Sequence, residues 1–170
     1  MPVRTITKTM STETGHRLTN YSGACAHFHG HSYKWEVTIS KNVLNGTGFI
    51  IDYKILKQIM KDTIGNLDHA FLLHSKDPIF STIGNENMNG YEAERTVREI
   101  LKAANGEEAN LHILPFNPTS ENIISWVADA LIEELNKYEC NLVKIKMWET
   151  DSSFAEWNQP QQDLHYEGTI

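Results

Sequence analysis

His29 and His31 stand two residues apart in the run Cys25-Ala26-His27-Phe28-His29-Gly30-His31, and another histidine, His16, precedes them. On an extended strand such a spacing points both imidazoles to one face, where they can grip a single metal ion. His27 and His31 lie four residues apart, roughly 13 Å along a strand, so they could hold an ion only in line and not at tetrahedral angles. His16, carried on the preceding segment, is the better third ligand, since an antiparallel neighbour can bring it opposite the His29/His31 pair. An all-histidine site of three protein ligands suits zinc and leaves a fourth position for water or substrate; iron or nickel accepts the same imidazoles. The competing arrangement places Cys25 in that fourth position and closes the site into an inert structural one, and spacing alone does not decide between them. His27 reads as a neighbour of the site or an exposed side chain. Gly30, between two ligands, lets a substrate approach the strand closely or marks a β-bulge.

Two further positions carry chemistry. Asp68-His69 sets a carboxylate beside an imidazole, the pairing a general acid/base uses, provided that a turn lets adjacent residues cooperate; Gly65-Asn66 supplies the break. A structural role is the alternative. Glu149 ends a strong strand pattern, where a carboxylate can accept two parallel hydrogen bonds from a guanidine-like edge or serve as a plain surface charge.

The elements that must position these residues follow from periodicity. Residues 3–17 and 31–41 read as a hairpin pair, Asn45-Gly46-Thr47-Gly48 as a turn and Phe49-Ile50-Ile51 as a short strand. Asp52 caps an expected helix over 53–66, with Ile55/Ile59 and Leu56/Met60 at i,i+4 spacing. The stretch 75–112, polar through Gly84-Asn85-Glu86-Asn87-Met88-Asn89-Gly90 and then helical over 91–104, reads as an excursion from the core. Thr119-Ser120-Glu121 opens the clearest helix, with Ile123, Val127, Leu131 and Leu135 on one face. A strand over 141–149 sets Val143, Ile145 and Met147 on one side, and a polar tail occupies 158–170.

Composition narrows the class. The 170 residues, 40% hydrophobic, suffice for one core and one domain. Two cysteines are too few for a disulfide framework, and Met1-Pro2-Val3-Arg4 lacks an apolar signal core. No apolar run approaches membrane-spanning length. The expectation is a soluble cytoplasmic protein with Cys25 a free thiol. The net charge of −7 and the lack of a basic stripe argue against a nucleic-acid partner.

Taken together, Thr14-Gly15-His16-Arg17-Leu18, the run from Cys25 to His31, Leu67-Asp68-His69, Asn117-Pro118-Thr119-Ser120-Glu121-Asn122 and Trp148-Glu149-Thr150-Asp151 resemble the 6-pyruvoyltetrahydropterin synthase superfamily over residues 3–157. The three residues between Cys25 and His29-Gly30-His31 are similar to the 6-carboxytetrahydropterin synthase branch, of 7-deazaguanine (queuosine-type) biosynthesis. The resemblance implies His16, His29 and His31 as zinc ligands, Cys25 as the catalytic thiol, and Asp68 and His69 as its acid/base partners. It further implies Glu149 as the pterin anchor and Thr119 and Ser120 as lining of the pterin pocket. The implied fold is the α+β tunnelling fold, a four-stranded antiparallel sheet with two helices on one face, oligomerising into a barrel; the implied homo-oligomer is a trimer or a dimer of trimers (homohexamer) with active sites between subunits. The implied reaction takes a pterin triphosphate, 7,8-dihydroneopterin triphosphate, to 6-carboxytetrahydropterin, with the pyruvoyl product as the alternative. A zinc hydrolase and a non-catalytic zinc- or pterin-binding protein are further alternatives. Arg17 and Lys34 are candidates for the triphosphate. His27, the 75–112 excursion and the 158–170 tail depart from the pattern.

Overall fold

The computed structural model describes residues 4–42, 44, 46–83 and 90–160. Most of the Gly84–Gly90 stretch and the end of the tail lie outside these residues. Strand β1 (Thr5–His16) and strand β2 (His29–Ser40) form the long central antiparallel pair. Helix α1 (Tyr53–Thr63) follows, then strand β3 (Ala70–His74), helices α2 (Pro78–Ile83) and α3 (Gly90–Asn105), strand β4 (Leu111–Leu114), helix α4 (Ser120–Asn136), and strands β5 (Asn141–Thr150) and β6 (Ser153–Asn158).

The sheet has six strands in the order β4-β3-β1-β2-β5-β6. It is mixed, because β3 runs parallel to β1 and β4 parallel to β3. The expected four-stranded antiparallel sheet is therefore corrected. Short β3 and β4 extend one edge, and β6 folds back on β5 at the other.

The core lies on one face of the sheet. Tyr33, Trp35, Val37 and Ile39 alternate inward along β2, and Leu56, Ile59 and Met60 of α1 and Ile123, Val127, Leu131 and Leu135 of α4 close over them. Asp52 caps α1 by accepting the Lys54 N–H, and Thr119 caps α4 through the Asn122 N–H. Ile55 is an exception to the expected stripe and stays exposed. The helix stops at Thr63, and Gly65–Leu67 continues as a 3₁₀ turn. Phe49-Ile50-Ile51 forms no strand; Ile50 and Ile51 are buried beneath the approach to α1 without a pairing partner. On β5 a register shift opposite Thr38/Ile39 puts Leu142, not Val143, into the core with Ile145 and Met147.

The 75–112 excursion has its own packing. Leu73, Phe80, Val97 and Leu111 form a second buried cluster, while Leu72 and Leu114 turn to the main core. No helix among the described residues is long and apolar enough to cross a membrane.

Candidate functional site

The β1–β2 register ends with His16 opposite His29, Gly15 opposite Gly30 and Thr14 opposite His31. His29 and His31 share a face by the two-residue period, and the cross-strand pairing puts His16 on it. One ligand nitrogen from each of the three lies within 4.8 Å of the others. Ring centroids are 4.4 Å apart for His16/His29, 5.2 Å for His16/His31 and 5.1 Å for His29/His31. No bulge interrupts the ladder at Gly30. A Cβ there would meet the Thr14 carbonyl oxygen at 3.0 Å, so the close approach glycine permits is to β1 itself.

Backbone acceptors orient the rings. The Nδ1–H of His16 donates to the Pro118 carbonyl and that of His29 to the His27 carbonyl, each at 2.8 Å. In both rings the lone pair is left on Nε2. The Nε2 atoms of His29 and His31 are buried with no hydrogen-bond partner. His16 Nε2 has only the Tyr33 hydroxyl, at 3.5 Å. Glu149 Oε1 stands 3.3 Å from His31 Nε2 and 3.8 Å from His16 Nε2. Burial lowers the His16 pKa to about 4, opposed by the Pro118 hydrogen bond and assisted by the neighbouring His29 and His31. The ring is therefore neutral at physiological pH, the form that ligates a metal. Burial also pushes the Tyr33 phenol up, with Glu149 and Cys25 adding to the effect, so Tyr33 stays protonated. Orphaned nitrogens converging on one point are costly unless a cation satisfies them. The donor set fits zinc.

Cys25 lies in a 3₁₀ turn, Ala24–Ala26, in the loop joining β1 to β2. Its carbonyl accepts the Leu18 N–H at 2.8 Å, which folds the loop back along the end of β1. The thiol is unpaired and half-buried, and its sulfur is outside the converging ligand set. His27 is exposed, and it serves the site through its carbonyl.

Asp68 and His69 follow the Gly65–Leu67 turn and are exposed. Asp68 Oδ1 accepts the Glu13 N–H at 2.8 Å, and the His69 N–H donates to the Glu13 carbonyl at 2.7 Å. Glu13 is three residues from His16, about 10 Å along the strand. Among the described residues, no hydrogen bond or ion pair joins Asp68 or His69 to Cys25 or to the three imidazoles. Glu149, at the end of β5, reaches both His16 and His31 and borders an open groove of about 580 Å³ whose other walls include Gly30, Ser32, Lys34 and Trp148. Thr119 and Ser120 begin α4 beside the Pro118 carbonyl that holds His16. Of the triphosphate candidates, Arg17 has Nε 3.2 Å from the fully buried Asp77 carboxylate and its guanidinium over Phe28, whereas Lys34 is exposed, 3.4 Å from Glu36. A more apolar cavity of about 330 Å³, at the other end of β1 near Ile6, Phe49 and Tyr53, contains none of these residues.

Asn117 was not legible as a site residue. Its side chain accepts from the Thr19 N–H at 2.8 Å and donates to the Thr19 carbonyl at 2.8 Å, clamping the chain after His16 to the start of α4. The only sequence signal was its place in Asn117-Pro118-Thr119, a helix-start pattern that says nothing of a partner 98 residues away.

A profile of the 6-pyruvoyl tetrahydropterin synthase family matches residues 5–160. The chain is 29% identical over 175 residues to the 6-carboxy-5,6,7,8-tetrahydropterin synthase of Aquifex aeolicus, covering 91% of this chain and 97% of that one. It is 27% identical over 158 residues to the enzyme of the same name from Haemophilus influenzae, covering 91% and 98%. Among solved structures, an uncharacterized protein of Wolinella succinogenes superposes with a TM-score of 0.74 at 21% identity, covering 94% of this chain and all of that one. The 6-pyruvoyl tetrahydropterin synthase of Caenorhabditis elegans gives 0.62 at 22% identity, covering 94% and 98%. These two likenesses establish a shared fold.

Proposed function

The chain belongs to the 6-pyruvoyl tetrahydropterin synthase family, and on that premise we propose that it is a zinc-dependent lyase converting 7,8-dihydroneopterin triphosphate to 6-carboxy-5,6,7,8-tetrahydropterin. One water is consumed, and triphosphate and acetaldehyde are the other products, in a cytoplasmic 7-deazaguanine pathway. The observation that carries this reading is the convergence of three imidazole nitrogens, those of His29 and His31 orphaned, with Cys25 a free thiol outside the set. The carboxy product is favoured over the pyruvoyl one by the names of the relatives and by the three-residue spacing from Cys25 to His29.

In this reading His16, His29 and His31 hold zinc, which supplies Lewis acidity toward the substrate's side-chain hydroxyls when bound. Cys25, outside the ligand set, is left to act as a base on a C–H bond of that side chain. His69 returns or relays protons, and Asp68 fixes the turn that carries it through the Glu13 N–H. Glu149 anchors the pterin by accepting two parallel hydrogen bonds from the N2 amine and N3–H. Thr119 and Ser120 line the pterin pocket. Among the described residues no hydrogen bond or ion pair joins Cys25 to His69 within one chain, and in this reading the complete site is formed between subunits of a homo-oligomer.

The test is to incubate purified, zinc-loaded protein with 7,8-dihydroneopterin triphosphate, with and without a chelator, and to identify products by mass. The expected result is 6-carboxytetrahydropterin and acetaldehyde, both abolished by the chelator. A pyruvoyl product assigns the alternative branch, and turnover insensitive to metal removal contradicts the zinc role.

A further inference from the structure

The 75–112 excursion touches the acid/base turn through the side chains of Asn110 and His112, of which Asn110 alone bonds the Asp68 carbonyl among the described residues. We infer that Asn110, just before β4, is a positioning residue for His69. The inference rests on the proton-carrier reading of His69 above.

The turn has a nearly complete hydrogen-bond account. The Gly65 carbonyl accepts the Asp68 N–H at 3.1 Å, and the Leu67 carbonyl accepts the Thr14 hydroxyl at 2.8 Å. The remaining two carbonyls face Asn110. Its Nδ2 donates to Asn66 at 3.3 Å and to Asp68 at 3.0 Å, using both amide hydrogens. The opposite amide orientation would set oxygen against two carbonyl oxygens, so the hydrogen-bond network fixes the assignment. Asn110 is itself held in place, since its own carbonyl accepts the Phe71 N–H at 2.9 Å. His112 donates to the Asn66 carbonyl, at 3.1 Å.

The Asp68 carbonyl and the His69 N–H belong to one peptide unit, and that unit is gripped at both ends. Glu13 of β1 takes the N–H at 2.7 Å, and Asn110 supplies the donor to the C=O. The grip matters because His69 has φ +53°, a left-handed conformation that side-chain-bearing residues seldom adopt and that persists only where the surroundings impose it. Rotation of this peptide plane would carry His69 back to negative φ and swing its side chain to a new direction. Among the described residues, the Asn110 amide is the only group holding the carbonyl end. An acid/base group displaced by even about 1 Å loses much of its effect. The excursion therefore sets the aim of His69 without contributing a reacting group.

Asn110→Asp tests this most sharply, being of the same shape but unable to donate, and Asn110→Ala serves as the second variant. Asn110 is exposed, so neither change removes a core contact. The expected result for both is a kcat at least about tenfold lower, with KM and bound zinc unchanged. Amide exchange at His69 should accelerate while the melting temperature holds. A kcat within about twofold of the parent, unchanged His69 exchange, or a loss of turnover matched by lost zinc or raised KM overturns the inference. His69→Ala is the control for the reading beneath it. Full turnover in His69→Ala sinks the proton-carrier role, whereas an inactive His69→Ala beside a fully active Asn110→Asp sinks the positioning role alone.

Discussion

At the scale of single residues, the site depends on three imidazoles whose ligand nitrogens lie within 4.8 Å of one another. The His29/His31 pairing was legible because a two-residue period fixes a shared strand face. The orientation of His16 was not, since its Nδ1 acceptor is the Pro118 carbonyl, 102 residues further on. Removing the thiol and removing a ligand should differ. Cys25→Ala is expected to keep its zinc and lose turnover by about 10²- to 10⁴-fold, while His29→Ala loses both, as metal analysis and steady-state rates will report. Glu149→Ala should retain zinc and raise KM more than it lowers kcat, because a pterin anchor acts chiefly in binding. The buried His16 also gives the metal-free protein a pH signature. Its pKa is lowered from the ordinary value of 6.5 to about 4, so the unfolded chain binds the proton more readily between those limits. This contribution is complete above pH 6.5, is lost as the pH falls toward 4, and is worth about 3 kcal/mol. Denaturant titrations of metal-free protein should show that decline, and His16→Asn should flatten it.

At the scale of elements, the start of α4 is the joint between the sheet and the three-histidine cluster. Thr119 caps the helix, Pro118 presents its carbonyl to His16, and Asn117 ties both to Thr19. Asn117→Ala is therefore expected to weaken zinc binding by about 10- to 100-fold, the usual cost of disturbing a group that orients a ligand, measured by competition with a chromophoric chelator. Gly15 shows a tighter constraint, because a Cβ there would lie 2.4 Å from the Phe71 ring. Gly15→Ala should cost about 1–3 kcal/mol by overpacking, read from the shift in denaturation midpoint. The amphipathic helices α1 and α4 and the β1–β2 pair were legible because long periodic segments declare their buried face. Strands β3 and β4 were not, since each has five residues or fewer and is fixed by parallel pairing to distant partners. Phe49-Ile50-Ile51 misled for the complementary reason: an apolar run signals burial without saying whether a strand lies beside it.

At the scale of the whole molecule, one sheet face is covered by α1 and α4 while β1 and β2 present Thr5, Thr7, Thr9, Ser11, Ser32 and Lys34 outward. On β5 and β6, Lys146 lies over both Trp148 and Phe154 on that outer side. The one-domain, single-core expectation came from length and composition, but the second cluster beneath α2 and α3 needed the pairing of Phe71 with Leu111 to become visible. A site shared between subunits makes a prediction that no single chain could satisfy. Mixing inactive Cys25→Ala with inactive His69→Ala and allowing subunits to exchange should restore up to roughly a quarter of the parental activity, the share of interfaces that unite two intact halves. No recovery would place both groups in one subunit. The most direct test of the metal centre is X-ray absorption at the zinc edge of the loaded protein. An open three-imidazole site gives only nitrogen and oxygen neighbours near about 2.0–2.1 Å. A sulfur neighbour at about 2.3 Å, lost in Cys25→Ala, would make the thiol a ligand and contradict its role as the base.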